Sequence, residues 1–156
     1  MYNKILLPTD GSKNAERAGE YALSTAEFTG ADIIVLYVVD TSEGIRLERG
    51  FIDALPQPDL REDLEKQFRE DGKKIVERFR KKLEEKQCAG KCSNVNLINM
   101  IKEGKPADII LKTIEEENVD LVIIGKSGKH GIEKFLLGNT AEKVVNNAKV
   151  PVNVIA

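Results

Sequence analysis

Four of the chain's twelve glycines fall in one stretch, Gly125-Lys-Ser-Gly-Lys-His-Gly-Ile-Glu-Lys-Phe-Leu-Leu-Gly-Asn-Thr140. Gly125 and Gly128 directly follow an apolar run, and Gly138 stands just before a helical pattern. Glycine permits positive φ and lets a bulky anion come close to backbone amides. The helix that follows presents unpaired N–H groups and the positive end of its dipole. Lys126, Lys129 and His130 add cationic or neutral donors, and Asn139 and Thr140 offer side-chain hydrogen bonds unless one of them caps the helix. In outline the stretch is an anion site suited to a phosphate chain. The plain alternative is that these glycines only turn a loop.

Two better-known phosphate motifs do not fit. A P-loop requires glycine five positions before the Gly125-Lys126-Ser127 triplet, where the chain has Asp120. The dinucleotide fingerprint Gly-x-Gly-x-x-Gly occurs nowhere, and the first apolar run ends in Thr9-Asp10-Gly11-Ser12. Fast hydrolysis calls for a base, a metal and added cations beyond a phosphate cradle. Asp10 is the one acid with a strong positional argument; Asp40 and Glu133 have none. The single histidine, His130, forms no Ser-His-Asp arrangement and is read as an exposed loop side chain.

The elements that must position these residues are short apolar runs alternating with helical segments. Strands are expected at Lys4–Pro8, Ile33–Val39, Val95–Ile101, Asp120–Ile124 and Val150–Ile155. Ser12 is a good N-cap for a helix with Ala15, Ala18, Ala22, Leu23 and Ala26 on one side, closed by Thr29-Gly30. A long helix is expected from Asp59, with Leu60, Leu64, Phe68, Ile75, Phe79 and Leu83 as its apolar stripe and its charges as a solvated face. Helices also follow Gly104-Lys-Pro106 and start near Thr140, while Gly44, Gly50, Pro56 and Pro58 make 41–58 a loop and a candidate mobile element over a pocket. This βαβαβαβαβ order implies one α/β domain over 1–156, a single open five-stranded parallel sheet with helices on both faces. Such sheets bind ligands beyond the carboxyl ends of their strands. That rule selects Asp10-Gly11, Asp40 and the Gly125–Thr140 segment.

Composition narrows the function classes. With 24 basic and 26 acidic side chains and a net charge of −2, the chain carries no broad footprint for nucleic acid or an anionic membrane. The apolar run Ile33–Val39 is far shorter than the roughly 20 residues of a membrane helix, and the first strand starts too early to leave room for a signal peptide. A cytoplasmic location is therefore expected. Cys88 and Cys92 are read as reduced thiols near a helix end, with a local disulfide as the alternative; a zinc site would need about four ligands.

The spacing Gly125-x2-Gly128-x9-Gly138-Asn139-Thr140 resembles the ATP-binding motif of the universal stress protein family, Gly-x2-Gly-x9-Gly-Ser/Thr. The likeness spans nearly the whole chain: Ile5-Leu-Leu-Pro-Thr-Asp-Gly-Ser12, Leu36-Tyr-Val-Val-Asp40, Gly104-Lys-Pro-Ala-Asp-Ile-Ile110, Leu136-Leu-Gly-Asn-Thr-Ala-Glu-Lys-Val144 and Val150-Pro-Val152. The resemblance implies a Rossmann-like fold of the adenine nucleotide alpha hydrolase type. It implies that Asp10 contacts the adenosine portion and that the Val38 main chain meets the adenine edge. Gly125 and Gly128 would lie by the ribose and first phosphate, and Gly138, Asn139 and Thr140 would hold the outer phosphates. The implied ligand is ATP or another adenine nucleotide, with Mg²⁺ travelling on its phosphates. Asn139 stands where the motif has Ser or Thr, exchanging a hydroxyl for an amide, with Thr140 supplying a hydroxyl one residue later. The resemblance further implies a homodimer paired through the C-terminal strand. The expected role is a nucleotide-dependent stress or signalling module with at most weak ATP hydrolysis. The alternatives are a slow ATPase or phosphotransfer enzyme, and an interaction protein of the same fold that binds no nucleotide.

Overall fold

Lys4-Ile-Leu-Leu-Pro8 forms the first strand, β1 (Lys4–Pro8), and Ile5, Leu6 and Leu7 have no solvent exposure at all. Consecutive buried residues need cover on both faces of the sheet, and the computed structural model supplies it. It describes residues 1–40, 58–89, 95–127 and 137–156. The remaining elements are α1 (Lys13–Thr29), β2 (Asp32–Asp40), α2 (Pro58–Ala89), β3 (Leu97–Gly104), α3 (Pro106–Glu116), β4 (Leu121–Gly125), α4 (Asn139–Asn147) and β5 (Val152–Ile155). All pairings are parallel, in the order β3-β2-β1-β4-β5. β1 therefore lies at the centre, paired with β2 from Lys4↔Asp32 to Pro8↔Leu36 and with β4 at Ile5↔Leu121 and Leu6↔Val122.

The alternation of the strands splits the core in two. Ile5, Leu7, Ile33, Val35, Leu121 and Ile123 face α1 and α2, packing on Ala15, Ala18, Ala22, Val76, Phe79 and Leu83. Leu6, Ile34, Leu36, Val122 and Ile124 face α3 and α4, packing on Ala107, Ile110, Ile114, Ala141 and Val144. The small face of α1 lets that helix sit close to the sheet. Its ends form as expected: the Ser12 hydroxyl accepts from the Ala15 N–H at 3.2 Å, and Gly30 takes φ 76° with its N–H on the Ala26 carbonyl.

Most strand ends shift from expectation by one to three residues, and two departures have clear physical reasons. β3 runs three residues past Ile101, to Gly104, although Lys102 and Glu103 read as an exit from the strand. Their charges are satisfied sideways. Lys102 Nζ donates to Thr113 Oγ1 at 3.1 Å and to Glu116 at 2.7 Å, and Glu103 accepts from Arg69 at 2.6 Å. On α2 the expected Phe79 and Leu83 are in the core, but Val76, 2% exposed, joins them in place of the half-buried Ile75, because Gly72 lets the Tyr37 ring pack where a side chain would stand. The side chains of Leu60, Leu64 and Phe68, residues 41–57 of the expected 41–58 loop and the Cys88–Cys92 pair lie outside the described residues, while Pro58, placed in that loop, instead opens α2. Among the described residues no helix is long and apolar enough to cross a membrane.

The amino ends of the two central strands are joined by Asp120. Its carboxylate accepts from Asn3 N–H at 2.9 Å, the Asn3 amide at 3.1 Å and Lys4 N–H at 3.2 Å. Burial alone would raise its pKa, but the hydrogen bonds from Asn3 and Lys4 outweigh it and hold the carboxyl below its ordinary value. A depressed folded-state pKa contributes stability above the unfolded value near 4, and that stability is lost as pH falls through the lower folded value. Asp120→Asn is expected to cost on the order of 1 kcal/mol at pH 7 after allowance for solvent screening. The difference from wild type should shrink in urea titrations below about pH 4; a gap independent of pH would show that the charge is not what matters.

Candidate functional site

The strand order reverses between β1 and β4, so a crevice opens beyond their carboxyl ends. On the β1 side the chain leaves Pro8 through a tight turn. Thr9 N–H donates to the Leu36 carbonyl at 2.8 Å, Gly11 N–H to Thr9 Oγ1 at 3.1 Å, and Ser12 N–H to Asp10 Oδ1 at 2.9 Å. Gly11 adopts φ 76°, which the turn requires. One Asp10 oxygen thus serves as a turn acceptor, the plain role open to it from sequence. Its charge also reaches Tyr37: burial first, then the carboxylates of Asp10, Asp71 and Asp40, raise the phenol's pKa.

Val38 lies two residues beyond the last β1–β2 pair. The Leu36 carbonyl faces β1, since it accepts from Thr9. Main-chain groups two residues apart on a strand point the same way. The N–H and C=O of Val38 are therefore directed past the end of β1, toward the crevice, while the residue pairs with Lys102 of β3 in register. Its side chain packs, partly buried, on the α3–α4 core.

The β4 side is built by close approach. Gly125 ends β4 with its Lys126 neighbour's N–H on the Ile155 carbonyl at 2.7 Å. A Cβ on Gly125 would stand 2.9 Å from the Asn14 carbonyl carbon and 3.0 Å from the Ala15 nitrogen, so the backbone of α1 demands this glycine. Gly138 has an ordinary φ of −66° and is needed for a different reason. Its N–H donates to the Lys126 carbonyl at 2.9 Å, and a Cβ would lie 3.2 Å from Ser127 Cα and 3.3 Å from Lys126 O. The start of α4 is thereby drawn against the end of β4.

Gly138 is itself the N-cap of α4, and among the described residues no side chain caps that helix. Asn139 and Thr140 occupy its first two positions, the former exposed and the latter half-buried, and neither is used as a cap. The first turn of α4, with the positive end of its dipole, begins beside the carboxyl end of β4, a setting that favours an anion. Asp10, Val38, Gly125, Gly138, Asn139 and Thr140 thus sit at the carboxyl ends of β1, β2 and β4 and at the start of α4. Gly128, Lys129, His130 and Glu133 lie outside the described residues. Asp40 is the exposed last residue of β2.

One residue at the crevice escaped the sequence reading. Asn14 Nδ2 donates to the Ser127 carbonyl at 3.0 Å and to Ser127 Oγ at 2.8 Å. In sequence it is an unmarked polar residue in the first turn of a helix, and only the fold brings it across 113 positions.

An open parallel sheet in this order, wound by helices on both faces and narrowed by glycines at its switch point, defines a Rossmann-like α/β domain. The chain belongs to the universal stress protein family, whose profile matches residues 1–156. Universal stress protein MJ0531 of Methanocaldococcus jannaschii is 32% identical over 155 residues, 99% of this chain and 82% of that protein. The solved structure of MJ0577, from the same organism, superposes with a TM-score of 0.78 at 30% identity, covering 99% of this chain and 96% of the other. Two more distant structures share the fold. A family protein from Arabidopsis thaliana with AMP bound has a TM-score of 0.63 at 21% identity, covering 98% and 90% of the two chains. A universal stress protein in complex with cAMP has a TM-score of 0.64 at 18%, covering 99% and 96%.

Proposed function

We propose that this chain binds an adenine nucleotide, ATP in the first instance, in the crevice between β1 and β4, and works as a nucleotide-dependent stress or signalling module. The observation that carries this reading is the approach of Gly138 to Ser127 beside the uncapped start of α4. That contact brings the start of α4 against the end of β4, where a phosphate chain would meet the helix amides as donors. The outward-turned main chain of Val38 supplies the donor and acceptor pair that an adenine edge requires, and Asp10 stands between them for the ribose. Gly125 borders the path, Asn139 and Thr140 complete the outer-phosphate end, and Gly128 keeps the part that the family resemblance gives it. AMP and cAMP, carried by two similarly folded family members, belong to the same ligand class.

Among the described residues no three His, Cys, Asp or Glu side chains converge on a metal site. Mg²⁺ would then be held mainly by the phosphates, neutralising their charge. The residues named here are assigned to bind and orient, and turnover is expected to be slow at most. A homodimer through β5, which forms one edge of the sheet, completes the reading. It predicts a sedimentation coefficient of two chains, reduced to one by a charged substitution at Val154.

The test is mass spectrometry of nucleotide carried by natively purified protein, followed by calorimetric titration of ATP with Mg²⁺ into stripped protein. Saturable ATP binding with negligible ADP after hours is the expected result. Rapid ADP formation would favour an ATPase or phosphotransfer enzyme. No nucleotide and no heat would leave an interaction protein of the same fold.

A further inference from the structure

The Asn14 amide joins two elements that the crevice depends on. A carbonyl oxygen can only accept, so the group 3.0 Å from Ser127 O must be the amide nitrogen; the same nitrogen then meets Ser127 Oγ at 2.8 Å. On its other flank Ser127 lies against Gly138, and Gly138 N–H closes on the Lys126 carbonyl at 2.9 Å. Ser127 is thus held from α1 through its carbonyl and hydroxyl, and the Lys126–Ser127 peptide meets the start of α4 through the Lys126 carbonyl. Asn14 follows the cap Ser12 by two residues, where alanine suits a helix at least as well as asparagine. Its choice is not dictated by α1. Nor does packing ask for it, since the residue is only partly buried.

We propose that Asn14 is a positioning residue of the nucleotide site, fixing the Ser127 end of the glycine segment against the N-terminus of α4 so that the phosphate notch keeps its width. This rests on the nucleotide-binding reading above. Asn14 acts through Ser127, so its loss is felt more by the phosphates than by the nucleoside, whose adenine meets Val38 and whose ribose is also held by Asp10. It also ties phosphate occupancy to α1, whose Arg17 reaches the main-chain oxygen of Ala156.

The experiment is calorimetric titration of full-length wild type, Asn14→Ala, Ser127→Ala and the double variant with adenosine and with ATP–Mg²⁺, each accompanied by a melting temperature. Asn14→Ala is expected to weaken ATP about tenfold, the effect of losing one to two hydrogen bonds, and adenosine by less than twofold, with no comparable fall in melting temperature. Ser127→Ala keeps the carbonyl contact and should lose ATP affinity about two- to threefold; added to Asn14→Ala it should cost nothing more. Equal ATP affinity in wild type and Asn14→Ala overturns the proposal. So does a parallel loss of adenosine and ATP, which marks a general structural effect, or a further loss in the double variant, which marks direct contact of Ser127 with ligand. A wild type that binds neither ligand defeats the nucleotide reading itself and the proposal with it, whereas the other failures defeat the positioning role alone.

Discussion

Gly138→Val is expected to weaken ATP binding at least about a hundredfold, roughly 2.7 kcal/mol, while the protein stays folded. The backbone at 138 takes φ −66° and ψ 148°, open to any L residue, so valine imposes no torsional strain. What it imposes is volume. Its Cβ would begin 3.2 Å from Ser127 Cα and 3.3 Å from the Lys126 carbonyl, and its methyl groups must go somewhere in the same notch. The start of α4 and the end of β4 would move apart, and the added methyls would occupy the space offered to phosphate. Glycine is also a moderate N-cap and valine a poor one, which accounts for a small fall in melting temperature. Calorimetry with ATP and with adenosine checks the claim: loss should be severe for ATP and mild for adenosine. Unchanged ATP affinity would remove Gly138 from the site.

Gly125→Ala is expected to act on stability first. The new methyl would stand 2.9 Å from the carbonyl carbon of Asn14 and 3.0 Å from the nitrogen of Ala15, both main-chain atoms of α1 that cannot rotate away. Relief requires sliding the helix off the sheet, at the cost typical of overpacking, about 1–3 kcal/mol. For a chain of this size each kcal/mol lowers the melting temperature by roughly 2–4 °C. ATP affinity should fall as a consequence, because the shift carries Asn14 away from Ser127. Thermal denaturation read against nucleotide affinity separates the two glycines: at 125 the fold suffers and binding follows, at 138 binding suffers and the fold holds.

The glycine spacing that resembles a phosphate motif therefore mixes two demands that look alike in sequence. Position 125 is glycine because α1 crosses it, and position 138 because two loop ends meet there. The strands and the caps of α1 were legible, since uniform apolar runs, Ser12 and Gly30 each act within a few residues. The extent of β3 was not, because Lys102 and Glu103 are made tolerable by Thr113, Glu116 and Arg69 from other elements. Val76 in place of Ile75 was hidden for the same reason: the rotation of α2 is set by Tyr37 packing at Gly72. Likewise the strand order and the Asn14–Ser127 contact depend on distant pairing that no local window contains.

The central seam of the sheet has a consequence for how the protein comes to exist in a cell. β1 is made first, yet one of its two partners, β4, begins only at Leu121. Until β4 is made, the nascent chain therefore carries an unpaired strand edge, apolar from Ile5 to Pro8, the kind of edge that other chains add to. Closing it demands a contact between distant parts of the chain, which slows folding. The crevice appears only when that seam closes and α4 arrives, so a ligand held there recognises the finished protein alone. Nucleotide would then favour completed chains over partial ones by mass action, and protease resistance of newly made protein should rise with nucleotide supply.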